Sequence, residues 1–226
     1  EENAYFYNAN PSEYLFVGIP RVGKTLTPDL KIFSDLFKKA DSVIIGPGLG
    51  VDTYAKYMLE FVLRTSTMPT VVDADAIRLI AKDPSLQQYL KKPNILLTPH
   101  FGEFCALANI TLDQLYEDTF AALENYVKKT AAKVLLKSDT TIFCDGKRMF
   151  INTSGNDGLA TGGSGDVLAG IIGSFCGQQM ELGEAAINAS YIMGKTAEEL
   201  AQKRYPPSLL PSDIIDNLFI SLLQET

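Results

Sequence analysis

Short apolar runs recur along the chain and alternate with stretches of helical period. Tyr14–Gly18, Ser42–Ile45, Thr70–Val72, Ile95–Leu97, Val134–Leu136 and Thr141–Cys144 have the length and apolar content of buried strands. Between and after them, apolar positions at helical spacing predict helices over Asp29–Lys39, Asp52–Arg64, Asp75–Lys82, Leu112–Lys129, Ser164–Gly177, Glu181–Lys203 and Asp213–Leu223. Near the start of the last, Pro211 and Ser212 provide initiation signals. Apolar strands alternating with helices predict an α/β fold: a mostly parallel central sheet with helices on both faces. Asp145-Gly146 is a favoured hairpin turn, so Lys147–Ile151 reads as an antiparallel return arm.

Composition narrows the partners without changing this picture. The 226 residues suffice for one domain with a sizeable core, and 46% hydrophobic with 21% charged residues is ordinary for a globular chain. A net charge of −7 and a pI of about 4.8 argue against nucleic acid or an anionic membrane as main partner. They leave nucleotides open, because backbone N–H groups bind phosphate even in an acidic protein. Cys105, Cys144 and Cys176 stand singly in apolar stretches, with neither disulfide-framework nor zinc spacing. They read as buried reduced thiols, which points to the cytoplasm. No run is long enough to span a bilayer.

Chemistry concentrates in Asn152–Gly170, NTSGNDGLATGGSGDVLAG, a stretch of small and polar residues that turns directly into a helical pattern. Gly162, Gly163 and Gly165 free the backbone to curl its N–H groups toward one point. Together with Ser164 and the positive end of the helix dipole they form a candidate anion hole for phosphate. Asp166 lies at that helix start, where a carboxylate can serve as general base for a hydroxyl attacking a phosphoryl group. The competing reading makes Asp166 a helix cap. Loops this long without regular structure are usually functional, which favours the first reading.

Other candidates sit at predicted strand ends, where ligands gather in open α/β sheets. Gly46, Gly48 and Gly50 let a ligand approach the backbone or simply make a tight turn. Asp73 and Asp75 follow the next strand, with Asp75 placed to cap the following helix. His100, the only histidine, follows Ile95–Leu97 beside Gly102 and Glu103. A lone histidine is more often structural, but this position favours a site. Lys137 could pair with phosphate, and the hydroxyls of Lys137–Thr141 could hydrogen-bond it, unless the segment is a solvated turn.

The Asn152–Gly170 segment resembles the C-terminal signature of the ribokinase-like superfamily and, more narrowly, that of the ADP/ATP-dependent NAD(P)H-hydrate dehydratases. GPGLG at Gly46–Gly50, VVDADA at Val71–Ala76, LLTPHFGE at Leu96–Glu103 and VLLKSDTTIFCDG at Val134–Gly146 fall in that family's order. The likeness runs from about Val43 to the end and implies a single ribokinase-like domain. It implies Asp166 as catalytic base, with Gly162, Gly163, Ser164 and Gly165 as anion hole. It places Gly48, Gly50 and His100 with Asp166 at the substrate. It places Lys137, Ser138, Asp139, Thr140, Thr141, Asn156 and Gly165 at the adenine nucleotide. Glu103 resembles an acid that acts on Mg²⁺ indirectly, through water. Phe101 stands where the family usually has Pro, and Met193 where many relatives have His. No counterpart of the family's N-terminal glycine-rich strand and helix is found before Ser42.

The implied activity is repair of hydrated NADH and NADPH with ATP or ADP and Mg²⁺, in a homo-oligomer. A vitamin-precursor kinase of the same fold and a non-catalytic nucleotide binder are the alternatives. Gly18–Thr25, GIPRVGKT, satisfies the P-loop pattern, but Thr27-Pro28 follows almost at once where a P-loop runs straight into a helix. Lys24 stays a candidate for contact with a ligand.

Overall fold

The structure is a computed structural model and describes residues 15, 17–19, 21–22, 27–28 and 30–224. A two-stranded antiparallel ribbon, β1 (Arg21–Val22) and β2 (Thr27–Pro28), precedes helix α1 (Leu30–Phe37). A six-stranded sheet follows in the order β3 (Val43–Ile45), β4 (Thr70–Val72), β5 (Ile95–Leu97), β6 (Lys133–Leu136), β7 (Thr141–Cys144), β8 (Met149–Asn152). β3 to β6 are parallel, and β7 and β8 complete the sheet antiparallel through the Asp-Gly hairpin. Connecting helices are α2 (Thr53–Thr65), α3 (Ala74–Lys82), α4 (Phe101–Ala108), α5 (Leu112–Glu117) and α6 (Thr119–Thr130). The chain then forms α7 (Ser164–Gly177), α8 (Leu182–Ala201) and α9 (Pro211–Gln224). None of the helices among the described residues is long and apolar enough to cross a membrane.

Strand alternation separates two cores. Ile45, Val72, Leu97, Val134 and Leu136 face one side, packing with Leu59, Leu63, Ile77 and Phe104. Val71, Leu96, Leu135 and Phe143 face the other, against Val167, Ile172, Ala185, Ala189 and Met193. Each fully buried Leu, Ile or Phe stabilises by about 1.5–3 kcal/mol. Burial on both faces is why these strands read as unbroken apolar runs. Small residues let α8 lie close to the sheet: a Cβ on Gly183 would meet the Phe143 ring at 2.9 Å.

Three local expectations change. Leu15, Val17 and Gly18 form no strand, while Tyr14 and Phe16 lie outside the described residues. The discounted P-loop segment pairs Val22 with Thr27 antiparallel, and among the described residues the first helix starts at Leu30. Its Lys24 and Thr25 lie outside the described residues. The Leu112–Lys129 helix is broken at Asp118, whose backbone leaves the helical region (φ −156°, ψ 87°) and whose carboxylate caps a new helix by accepting from the Ala121 N–H at 2.9 Å. Phe101–Ala108 is a helix that periodicity did not reveal; it starts on a histidine cap and stops at Asn109 in a left-handed conformation.

Candidate active site at the strand ends

The carboxyl ends of β3, β4, β5 and β6 deliver Gly46, Asp73, Thr98 and Lys137 to one edge of the sheet. Gly46 has φ +130°, and a Cβ there would lie 1.7 Å from the Asp73 carbonyl oxygen, so only glycine fits against the β4–α3 turn. That turn is unusual. Asp73 is the N-cap of α3, yet its side chain makes no capping bond, and Ala74 has φ +48°. A missing cap bond costs about 1 kcal/mol, and a left-handed alanine adds about 1–2 kcal/mol. Asp75 is not the cap: it lies in the first turn, where its carboxylate accepts from the Gly50 N–H at 2.9 Å and pairs with Arg78 at 3.3 Å. Gly48, at φ +63°, has open space around it.

The Asp73 carboxylate is directed instead at Lys137, whose Nζ donates to Oδ1 at 2.7 Å. Only 2% of the Asp73 side chain and 19% of the Lys137 side chain are exposed, so the pair is largely desolvated. It lies at the start of α7: a Cβ on Gly165 would sit 3.2 Å from Lys137 Nζ and 3.8 Å from Asp73 Oδ2. Gly165 therefore supplies space. Of Gly162, Gly163 and Gly165, only Gly163, the N-cap with φ +97°, needs a left-handed backbone.

The α7 start is electropositive and underused. Val167 N–H makes the first helical bond, to Gly163 O at 3.1 Å, leaving the Gly165 and Asp166 amides without a helical partner. The Ser164 N–H donates to Thr161 O at 3.1 Å, so it is the hydroxyl of Ser164, a residue that lines the neighbouring cavity, that is left for an anion. Asp166 is exposed and has no side-chain hydrogen bond or ion pair among the described residues, so it caps nothing. Its side faces a groove of about 500 Å³ with Val167, Gly170, Ile171, Ile192 and Leu218.

On the other side of the helix start, a cavity of about 450 Å³ is lined by Lys137, Ser138, Asp139, Thr141, Asn156 and Gly165, together with Ser164. Several of these side chains are already committed to the protein. Asn156 donates to Ala197 O at 2.8 Å and accepts from Gly158 N–H at 3.0 Å. The Ser138 hydroxyl donates to Thr140 O at 2.7 Å, and Thr140 N–H donates to Asp139 Oδ1 at 2.9 Å. Thr140 does not line the cavity. The preceding loop is fixed to α8: Ser154 Oγ donates to Tyr191 O at 3.1 Å, and Gly155 N–H donates to Glu198 Oε1 at 2.9 Å. The Lys195 ammonium and that Gly155 N–H hold the Glu198 carboxyl below its ordinary range. Asn152, Ser154, Ser190 and Met193 also line the cavity. Asn152 and Ser154 fall inside the Asn152–Gly170 segment without having been singled out, and Ser190 escaped the sequence reading because nothing in α8 marks which of its small residues face a cavity.

His100 lies in a third hollow of about 420 Å³ with Ala74, Asp75, Arg78, Gly102 and Glu103. Its Nδ1 accepts from Glu103 N–H at 3.3 Å while Glu103 Oε2 accepts from His100 N–H at 3.0 Å, a reciprocal capping box. This bonding fixes the ring with Nδ1 as acceptor and brings Nε2 to 3.6 Å from Glu103 Oε1, with 62% of the His100 side chain exposed. The Lys137 N–H bonds Pro99 O at 2.8 Å, so this hollow adjoins the Lys137 strand end, although His100 and Asp166 do not line a common cavity.

For a magnesium ion the protein donors are few. Among the described residues no three His, Cys, Asp or Glu cluster. Asp73 is held by Lys137, and one Glu103 oxygen by the His100 amide. The donor set fits an ion that arrives on phosphate oxygens and keeps its waters, not one caged by protein. Cys105, Cys144 and Cys176 are buried and free, and burial pushes the Cys176 thiol up to about 11.

A family model described as NAD(P)H-hydrate dehydratase matches residues 17–219. The chain is 35% identical over 184 residues to the bifunctional NAD(P)H-hydrate repair enzyme Nnr of Coxiella burnetii, covering 81% of this chain and 36% of that one. It is also 35% identical to the ADP-dependent (S)-NAD(P)H-hydrate dehydratase of Staphylococcus aureus, covering 82% of this chain and 67% of that one. Its fold is similar to a ribokinase-like superfamily protein of Enterococcus faecalis (TM-score 0.73, 29% identity, 84% of this chain and 65% of that one). It is similar also to the ADP/ATP-dependent NAD(P)H-hydrate dehydratase of Bacillus subtilis co-crystallised with ATP/Mg²⁺ (TM-score 0.71, 25% identity, 81% and 64%). The chain thus spans about a third of the length of the bifunctional relative and about two thirds of the others.

Proposed function

The chain belongs to the NAD(P)H-hydrate dehydratase family, and on that premise we propose that it dehydrates hydrated NADH and NADPH at the expense of ATP or ADP. The observation that carries this reading is the start of α7. There Gly165, whose amide has no helical partner, and Lys137 line a cavity of about 450 Å³, and Asp166 stands exposed at the same helix start with no side-chain partner among the described residues.

In this reading the nucleotide phosphates occupy the cavity beside Lys137 and Thr141, with the transferring phosphoryl group against the α7 amides. Lys137, Gly163, Gly165 and the Asp166 N–H stabilise negative charge as it builds on the phosphoryl oxygens. The Asp166 carboxylate takes the proton from the ring hydroxyl as its oxygen forms the bond to phosphorus, and the nucleotide leaves one phosphoryl group shorter. Inorganic phosphate then departs with the C–O bonding pair, and loss of a proton from the neighbouring ring carbon restores the double bond. Magnesium, carried by the nucleotide, supplies charge neutralisation on its phosphates. His100, whose side chain is largely exposed, and Gly48 and Gly50, which have open space around them, would contact the hydrated dinucleotide. Glu103 reaches the ion only through water.

The test is to mix the protein with hydrated NADH and magnesium, with either ATP or ADP, and follow the reduced-nicotinamide absorbance. Nucleotide-dependent recovery is expected, and the nucleotide that supports it identifies the phosphoryl donor. A stable phosphorylated alcohol in place of recovery would assign the chain to kinase chemistry. Nucleotide binding without turnover would make it a binder.

A further inference from the structure

We propose that Asp73 is a positioning residue that holds the Lys137 ammonium at the phosphoryl-binding start of α7; the inference rests on the functional reading above. Three independent features of the β4–α3 turn lead to it. Asp73 occupies the cap position of α3 but does not cap, and its Oδ1 instead accepts from Lys137 Nζ at 2.7 Å. Ala74 takes up the left-handed conformation that this redirection requires, at φ +48°. Behind the turn, Gly46 packs so tightly on the Asp73 carbonyl that the backbone has no room to relax: a Cβ there would lie 1.7 Å from its oxygen.

The position of Lys137 supplies the reason for such an arrangement. A helix N-terminus favours anions and disfavours cations. Lys137 Nζ nevertheless lies close enough to the α7 start that a Cβ on Gly165 would come within 3.2 Å of it. The ammonium and the Gly165 and Asp166 amides all seek negative charge, and Asp73 offers it from the buried side only. Its carboxylate anchors the ammonium while the helix end stays open to the cavity. A phosphoryl group entering there meets a cation and free amides that are already arranged and have no reorganisation left to undergo. Asp73 acts through Lys137 and does not touch the phosphoryl group.

The test is a double-variant cycle on the whole chain with Asp73→Asn, Lys137→Met and the two combined, reading ADP and ATP affinity by calorimetry and, where turnover is measurable, the nucleotide KM and kcat separately. Each single variant is expected to weaken nucleotide binding or kcat/KM by at least about tenfold. The double variant is expected to be no weaker than Lys137→Met alone, because Asp73 has nothing left to position. Losses that multiply in the double variant would overturn the proposal, as would an Asp73→Asn protein with unchanged affinity and kinetics. Melting temperature separates folding damage from positioning. Should Asp73→Asn fail to fold, Asp73→Glu keeps the charge paired while displacing Nζ, and must weaken binding only when Lys137 is present. A folded wild-type protein that binds neither nucleotide would instead remove the functional reading, and this inference with it.

Discussion

The two ends of the Asn152–Asp166 segment, continuous in sequence, are built in opposite ways. At the first end, Ser154, Gly155 and Asn156 spend their polar groups on α8, bonding Tyr191, Glu198 and Ala197. At the second, the Gly165 and Asp166 amides and the Asp166 carboxylate have no partner among the described residues. Satisfied polar groups fix a shape, and unsatisfied ones await a ligand. The first end is scaffold and the second carries the chemistry, although both are equally rich in small residues.

The sharpest break of this contrast is Asp166→Asn. The carboxylate bonds to nothing, so folding should be unaffected while turnover falls about 10²–10⁴-fold, the usual worth of a general base. Thermal unfolding and nucleotide affinity, expected to stay within about threefold, complete the check. The opposite signature is expected at the scaffold end. Gly194→Ala would place a Cβ 2.2 Å from Ser154 Oγ and 2.7 Å from its carbonyl oxygen. It should lower stability in urea by about 1–3 kcal/mol and loosen nucleotide binding as the loop shifts. Asn156→Ala removes two bonds and should cost about 1–2 kcal/mol by the same urea measurement. A loss of nucleotide affinity without that loss of stability would make Asn156 a direct ligand and break the contrast.

The smallest effect concerns pH. Glu198 has its carboxyl lowered from 4.5 by the Lys195 bond and the Gly155 N–H. Its stabilisation is therefore present above about pH 4.5 and fades as pH falls through the lowered folded value. Glu198→Gln should flatten that part of the stability profile, measured as melting temperature between about pH 3 and 6.

The same contrast explains what could be read from the sequence. Strand and helix order was legible because strands such as Val71–Val72 and Leu96–Leu97 are buried on both faces. The position of the α7 start was legible because the glycines at Gly162–Gly165 run directly into a helical pattern. Commitments between distant residues were not. The Ser164 amide and the Asn156 side chain bond Thr161 O and Ala197 O, which the sequence does not show. Asp75 looks like the cap of its helix until it is found bonding Gly50, and nothing in the sequence shows that Lys137, 64 positions away, claims the Asp73 carboxylate. Helix α4 was hidden because histidine is an uncommon cap, although Glu103 three residues later completes a capping box.

The central claim, that the open end of this segment performs the chemistry, is tested most directly with Asp166→Asn and wild-type protein at saturating nucleotide, following recovery of reduced-nicotinamide absorbance from hydrated NADH. The account predicts nucleotide-dependent recovery in the wild type and a loss of about 10²-fold or more in a folded, nucleotide-binding variant. Equal rates in the two proteins, or no recovery by a wild type that binds nucleotide, would contradict it.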